Sequence, residues 1–369
     1  MPSIIRPHLA TRTVPPTTKQ ALDWADLAVV DLSKAADPDG RAELTAQVCE
    51  AMRTQGFFYV VNHGWTPEQT ARAFDIAEFA FSGVSAKDKQ AYAATMKTTG
   101  SFQGYKPRQY WHIDNGINDQ IDTFNINRDV TLREQPEALR PFLPELDALA
   151  RHTHFDILHP ILRMLAQGLE LEEETFVDLH QFKSVSETYI RFMKYYPRTI
   201  EEEEKTNNVW LKGHTDIGTV TILYSQPISA LQILGRDGKW RWIKHIENAM
   251  VINIGDAMEF LSGGYYKATI HRVVQPPEDQ RLRERLGIFY FAMAHDDTPL
   301  IPVQKSPVLE RVGTENRQGI PQDSGGSVIT MEAWRKSRTS AYGQSRLTAA
   351  PGGKIEEETV QGVLVQHFN

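Results

Sequence analysis

Cysteine is nearly absent: Cys49 is the single thiol in 369 residues, so no internal disulfide can form. Its place in an apolar periodic run points to burial as a small hydrophobe and away from nucleophilic chemistry. Long hydrophobic runs are missing too. The first twenty residues carry two arginines before Pro15 and no apolar stretch long enough for a signal peptide or a membrane span, so a cytosolic protein without a membrane partner is expected. Positive charge is in deficit, with 40 Lys and Arg against 47 Asp and Glu and a formal net charge of -7. Binding phosphate needs clustered positive charge, which argues against a nucleic-acid partner. No internal repeat is apparent. What remains, 41% hydrophobic and 24% charged residues, is the composition of an ordinary globular protein. The length exceeds that of most single domains, but a sheet-based fold decorated with helices can absorb it as one catalytic unit.

Local patterns begin with Leu44, Val48 and Met52, spaced for one face of a helix that Gly56 stops. Phe57 to Val61 is a short aromatic and β-branched run closed by the turn Asn62-His63-Gly64, hence a strand. Thr66-Pro67-Glu68-Gln69 combines an N-cap, a proline at the first helical position and a capping-box glutamine, and Phe74, Ala77 and Phe81 share the face of the helix that follows. From Gly100 to Asp129 the periodicity fades while aromatic residues accumulate, which predicts a loop-rich wall. Leu158 to Gly168 predicts a long helix with Pro160 as a kink. Glu201 to Glu204 reads as a solvated loop. From Tyr189 to about His295, short β-rich runs alternate with Gly-, Pro- and Asp-containing turns, so an all-β unit is expected after a helical half. A last helix is expected over Met331 to Tyr342, followed by a Gly-rich acidic tail.

Four His-x-Asp pairs occur: His112/Asp114, His154/Asp156, His214/Asp216 and His295/Asp297. Residues i and i+2 reach one metal together on a strand, whereas a two-residue step in a helix sends them to nearly opposite faces. That removes His154/Asp156. His295/Asp297 runs into Thr298-Pro299, and His112/Asp114 has no β run behind it; His214/Asp216 precedes the strand-like Thr219 to Tyr224. His271 lies in a second β-rich run and completes a set of two histidines and one carboxylate. Such a set fills one face of an octahedron and leaves three positions open, the arrangement that O2-activating Fe(II) needs. A dicarboxylate cosubstrate would also need a fixed positive fork. Arg285 lies about one hairpin beyond His271 and offers bidentate geometry that lysine lacks; on a strand it would share a face with Gly287, Phe289 and Phe291. Arg281 and Arg283 alternate with it, so a solvated arginine stripe is the competing reading.

These residues resemble the isopenicillin N synthase-like iron(II)/2-oxoglutarate-dependent dioxygenases. The likeness runs through Gly56 to Gly64, Lys194-Tyr195-Tyr196-Pro197, Gly213-His214-Thr215-Asp216, Gly238 to Asp256, and Tyr266 to Val274, in order, over roughly residues 27 to 295. It implies an α+β fold in which a double-stranded β-helix, or jelly roll, is flanked by helices. It also implies an N-terminal dioxygenase region near residues 27–130, a jelly-roll core near 185–300 and a C-terminal extension over 301–369. Iron would be held by His214, Asp216 and His271, and 2-oxoglutarate by Arg285 with Tyr196. Two departures stand out: Gly287 where the family commonly has serine, and Lys194 where it commonly has asparagine.

The activity so implied is oxidation of a small organic molecule by O2 and 2-oxoglutarate, with release of succinate and CO2. Hydroxylation, demethylation, desaturation and cyclisation all lie within reach. For the substrate wall the aromatic residues Phe102, Tyr105, Tyr110, Trp111, Phe124 and Phe291 are the candidates, which favours a hydrophobic or aromatic substrate. Three rivals compete: a same-family oxidase that does not use 2-oxoglutarate, a non-catalytic small-molecule binder, and a zinc hydrolase. Succinate formation separates the first from the main reading. A pure binder has no need of three ligands with open positions, and zinc chemistry would not need O2.

Overall fold

Asp37 accepts from the Gly40 N–H and starts a helix over Pro38–Thr54, whose Leu44, Val48 and Met52 are buried as their spacing predicts. Gly56 follows at φ 70°, and a Cβ there would meet the Lys267 carbonyl at 2.4 Å, so the turn into the next strand needs glycine. Thr66 and Gln69 form the expected capping box, and a helix runs over Pro67–Ser82. The chain is described from a computed structural model, over residues 9–313, 319–341, 348–349 and 355–368.

The first half of the chain supplies strands β1 (Val29–Asp31), β2 (Phe57–Val61), β3 (Gly104–Lys106), β4 (His112–Asp114), β5 (Ile117–Asn118) and β6 (Ile121–Asn127). The next stretch supplies β7 (Tyr189–Tyr195), β8 (Val209–His214), β9 (Val220–Tyr224) and β10 (Leu231–Leu234), then β11 (Trp240–Trp242), β12 (Met250–Ile254), β13 (His271–Val274) and β14 (Arg285–Ala292). Near the C-terminus lie β15 (Thr348–Ala349), β16 (Ile355–Val360) and β17 (Val363–Phe368). All but β4 and β5, which pair with each other as a separate two-stranded sheet, form a jelly roll of two sheets, one in the order β1-β2-β12-β9-β14-β7-β6-β3, the other β11-β10-β13-β8-β17-β16-β15. Side chains alternate across the larger sheet. On β7, Ile190 and Phe192 pack outward under the helices, while Tyr189, Met193 and Tyr195 face the space between the sheets.

Several expectations need correction. The 100–129 stretch is not mainly loop: β6 pairs with β7 along all seven of its residues. Its inward positions, Thr123, Asn125 and Asn127, are polar because they face a polar part of the interior, and this hid the strand pattern. The Glu201 to Glu204 run is a helix over Ile200–Lys205 with its own Thr199/Glu202 capping box. Glu203 is buried there and accepts a 2.7 Å hydrogen bond from the Trp210 indole. The long helix is interrupted by a π-helical segment, His152–Leu158, which ends just before Pro160. The last helix covers Met331–Ala341, with Tyr342 outside the described residues. Part of the unplaced tail is the β16–β17 hairpin, which pairs with β8 through Phe368 and Gly213; its Gly-rich portion also lies outside the described residues. Cys49 is buried, 3.3 Å from the Tyr266 hydroxyl, and burial pushes its thiol up to about 11.

Candidate active site

His214 ends β8 and His271 begins β13, and the two are register partners in neighbouring antiparallel strands. Asp216 is not on a strand with His214, as the i, i+2 argument supposed. It sits in the connection between β8 and β9, and the opposite sheet holds it: the Thr221 hydroxyl and the Asn253 amide donate to Oδ2 at 2.7 and 2.8 Å. Its backbone carbonyl accepts from the Asp256 N–H at 2.7 Å. The other carboxylate oxygen, Oδ1, is thereby left facing the histidines, 3.8 Å from His214 Nε2 and 3.7 Å from His271 Nε2.

The Nδ1 atoms of both histidines lie against backbone carbonyls, of Lys212 at 2.8 Å and Thr269 at 3.1 Å. That orients each Nε2 into the cluster with a lone pair available for a metal. Burial, with the neighbouring His271, holds His214 down to about 3, so its ring is neutral at physiological pH. Burial pushes Asp216 up, but the two imidazoles and the donors from Thr221 and Asn253 outweigh it and hold the carboxyl below its usual range. Among the described residues this is the one group of three or more His, Cys, Asp or Glu whose ligand atoms converge, all within 4.8 Å. Two imidazoles and one carboxylate, each fixed from behind, suit Fe(II). The His112/Asp114 pair does lie on a strand, β4, but His112 is exposed and belongs to no such group.

The cluster opens into a cavity of about 910 Å3, counted out to its mouth. Arg285 faces this cavity with 2% of its surface exposed, and its Nε and Nη1 make no hydrogen bond. A buried guanidinium with unused donors is costly unless an anion meets it. These orphaned donors beside a three-ligand cluster fit the far carboxylate of 2-oxoglutarate. Tyr195, the register partner of Arg285, lies against it with its ring centroid 5.2 Å from the guanidinium, and burial pushes its phenol up to about 12, so it stays protonated.

Tyr196 is not in this cavity. One step past the end of β7, it is turned outward, where its hydroxyl donates to Asp122 at 3.0 Å. The same alternation turns Lys194 outward to bridge Glu78 and Glu284, both at 2.7 Å, so that departure from the family pattern lies off the site. Gly287 does face inward; a Cβ on it would come within 2.7 Å of the Phe289 ring, which covers the place where a serine would stand.

Of the six aromatic candidates, Phe102, Trp111 and Phe291 line the cavity. Tyr105 and Phe124 do not: they stack on one another at 4.1 Å on the outer face of the larger sheet. Tyr110 packs behind the wall, beside Trp111. Trp111 is fixed by Asp119, which accepts from its N–H, and by the Lys106 ammonium 4.1 Å from its ring. Sequence reasoning missed Tyr195, Arg191, Phe289 as cavity wall, and Arg338, which reaches the cavity from the C-terminal helix. The signal for the first three was present, because all lie in the inward phase of β7 or β14.

Two family models match the chain, and together they span more than half of it: the 2OG-Fe(II) oxygenase superfamily over residues 187–293 and the non-haem dioxygenase in morphine synthesis N-terminal region over 27–145. Jasmonate-induced oxygenase 3 of Arabidopsis thaliana is 26% identical over 331 residues, covering 85% of this chain and 86% of that protein. Scopoletin 8-hydroxylase of the same plant is 28% identical over 276 residues, covering 73% and 72%. Among solved structures, a full-length Neurospora crassa protein in complex with alpha-KG superposes with a TM-score of 0.73 at 19% identity, over 89% of this chain and all of that one. At that identity the likeness speaks for the fold, which is the same jelly roll.

Proposed function

The chain belongs to the 2-oxoglutarate- and Fe(II)-dependent dioxygenases, and from that premise we propose that it hydroxylates a small hydrophobic or aromatic molecule with His214, Asp216 and His271 as the iron ligands. Fe(II), 2-oxoglutarate and O2 are what such an enzyme uses. Arg285 takes the far carboxylate of 2-oxoglutarate, and Tyr195, rather than Tyr196, stands beside it. The observation that carries this reading is the pair of unused donors on buried Arg285, aimed into the cavity that also holds the three converging ligands.

When bound, the iron and the cosubstrate supply the activation of O2, coupled to oxidative decarboxylation to succinate and CO2. The chain's own share is positioning and exclusion of water. Thr221 and Asn253 aim Asp216, the carbonyls of Lys212 and Thr269 fix the imidazole tautomers, and the walls from Phe102, Trp111 and Phe291 present an apolar substrate. A small-molecule partner, supported by relatives such as scopoletin 8-hydroxylase, and a cytosolic location complete the proposal. No described helix is long and apolar enough to cross a membrane.

The test is release of labelled CO2 from carboxyl-labelled 2-oxoglutarate in the presence of Fe(II) and O2. Turnover should vanish in His214→Ala. In Arg285→Leu the 2-oxoglutarate KM should rise at least roughly tenfold, the worth of a charge-assisted pair. Wild-type protein that loads iron but releases no CO2 would overturn the assignment.

A further inference from the structure

Arg191 stands inward on β7, as the register partner of Phe289, and lines the cavity of the three-ligand cluster. It is 8% exposed. Its Nε donates to Asn125 at 2.6 Å and one terminal nitrogen donates to the Tyr189 hydroxyl at 3.2 Å; the other, Nη1, bonds to no described residue. Both partners are neutral. Among the described residues no carboxylate comes within ion-pairing distance of it, whereas Lys106 has Asp119 at 2.8 Å and Arg338 has Asp256 at 3.3 Å. Buried Arg128 and Arg198 also lack a carboxylate among these residues, but both donate to backbone carbonyls, which Arg191 does not. Three aromatic rings surround the guanidinium, with the centroids of Phe102, Phe291 and Tyr189 at 4.9, 4.8 and 5.2 Å. Their faces attract a cation but carry no net charge, so the charge of Arg191 remains uncompensated.

Counting charges along the cavity shows what is missing, and the count rests on the iron and 2-oxoglutarate reading above. Four charged side chains line the cavity: Arg191, Arg285, Arg338 and Asp216. Asp216 and the 2-oxo acid end of the cosubstrate balance Fe(II). Arg285 is balanced by the far carboxylate, and Arg338 by Asp256. One positive charge is left over, on Arg191. Phe289, the register partner of Arg191, lies four positions along β14 from Arg285, about 13 Å, too far for one short dicarboxylate to serve both while it is held at the metal. A buried cation without a partner is retained at a cost unless a ligand completes the pair.

We propose that Arg191 is the anchor for a carboxylate on the substrate, so that this enzyme acts on a mono-anionic acid whose apolar or aromatic body lies against Phe102, Trp111 and Phe291. Arg191 is then a specificity-determining residue: it fixes the anionic end of the substrate, and the distance from that end selects the carbon held near the metal. The surrounding rings serve both ends, holding the guanidinium by cation–π contact and walling the apolar body.

The test uses the Fe(II)·2-oxoglutarate enzyme under anaerobic conditions, its visible absorption band checked first, with binding read by calorimetry. The probes are acids paired with their neutral amides: benzoate and benzamide, phenylacetate and phenylacetamide, cinnamate and cinnamamide. At least one acid should bind roughly tenfold or more tightly than its own amide, the discrimination a charge-assisted hydrogen bond supplies. In Arg191→Met that preference should shrink to within about twofold, while Arg191→Lys, which keeps the charge and loses the fork, should retain part of it. If the band forms and no acid outbinds its amide, or if the preference survives in Arg191→Met, the inference fails alone. If the band does not form, the charge count has lost its premise and the inference falls with the reading beneath it.

Discussion

Tyr195 ends β7 and Tyr196 follows it, and that one step decides which of them lies beside Arg285. The chain's Tyr-Tyr pair is visible in the sequence, but its phase is not, because each tyrosine is equally compatible with either face. The phase follows once Arg285 is paired with Tyr195, since residues directly opposite in an antiparallel ladder share a face. Tyr195→Phe should weaken 2-oxoglutarate binding by about three- to tenfold, the worth of one hydrogen bond beside a charge, whereas Tyr196→Phe should leave it within about twofold. Equal effects of the two substitutions in a 2-oxoglutarate titration would contradict the assignment. Gly287 was legible as a departure from the family pattern, but its consequence needed the position of the Phe289 ring. A serine there must displace that ring, so Gly287→Ser is expected to raise the KM of an apolar substrate more than that of 2-oxoglutarate, which a comparison of the two constants checks.

The elements most readable in the sequence are those whose buried face is apolar, such as Pro38–Thr54, Pro67–Ser82 and β2. Those misread carry polar groups inward. Strand β6 shows Thr123 and Asn125 to the interior because Asn125 steadies Arg191, and the Ile200–Lys205 helix buries Glu203 because Trp210 needs an acceptor. Asp216 was found for a reason the structure replaces: neighbouring strands bring the histidines together, and a connection held from the opposite sheet supplies the carboxylate. The Lys106–Asp119 pair, 1% and 0% exposed, pins the segment that carries Trp111. Asp119→Ala removes one partner of a fully buried pair and should cost about 3–5 kcal/mol in urea unfolding, and it should also loosen the substrate wall. The π-helical segment buries His154, and Thr219 meets buried His180; burial first, then nearby positive charge, holds them down to about 2 and about 3. Because the unfolded chain takes up these protons near the ordinary histidine value of about 6.5, their contribution to stability is present above that pH and lost as pH falls toward 3. Urea midpoints should therefore drop between pH 7.5 and pH 5, and a His154→Gln variant should show a shallower drop.

Across the whole molecule, the C-terminal residues are structurally continuous with the metal cluster. Strand β17 joins β8, the strand that ends in His214, and Lys212 on that strand pairs with Glu356 of β16. Arg338 donates to the carbonyl of Thr215, the residue between two of the ligands, and meets Asp256, which is fully buried. Arg338→Met should lower stability by about 3–5 kcal/mol and weaken iron binding, with partial recovery in the double variant carrying Asp256→Asn, because the uncompensated buried charge is then gone. Iron titrations and unfolding curves of the two variants would show whether recovery occurs.

One cavity should hold iron on His214, Asp216 and His271 and 2-oxoglutarate on Arg285. The most direct measurement is the visible difference spectrum of metal-free protein on anaerobic addition of Fe(II) and then 2-oxoglutarate, repeated with His214→Ala and Arg285→Leu. A weak charge-transfer band that requires both additions, disappears in His214→Ala and needs at least roughly tenfold more 2-oxoglutarate in Arg285→Leu is the predicted result. Iron binding with no band at any 2-oxoglutarate concentration, or a band indifferent to both substitutions, would contradict it.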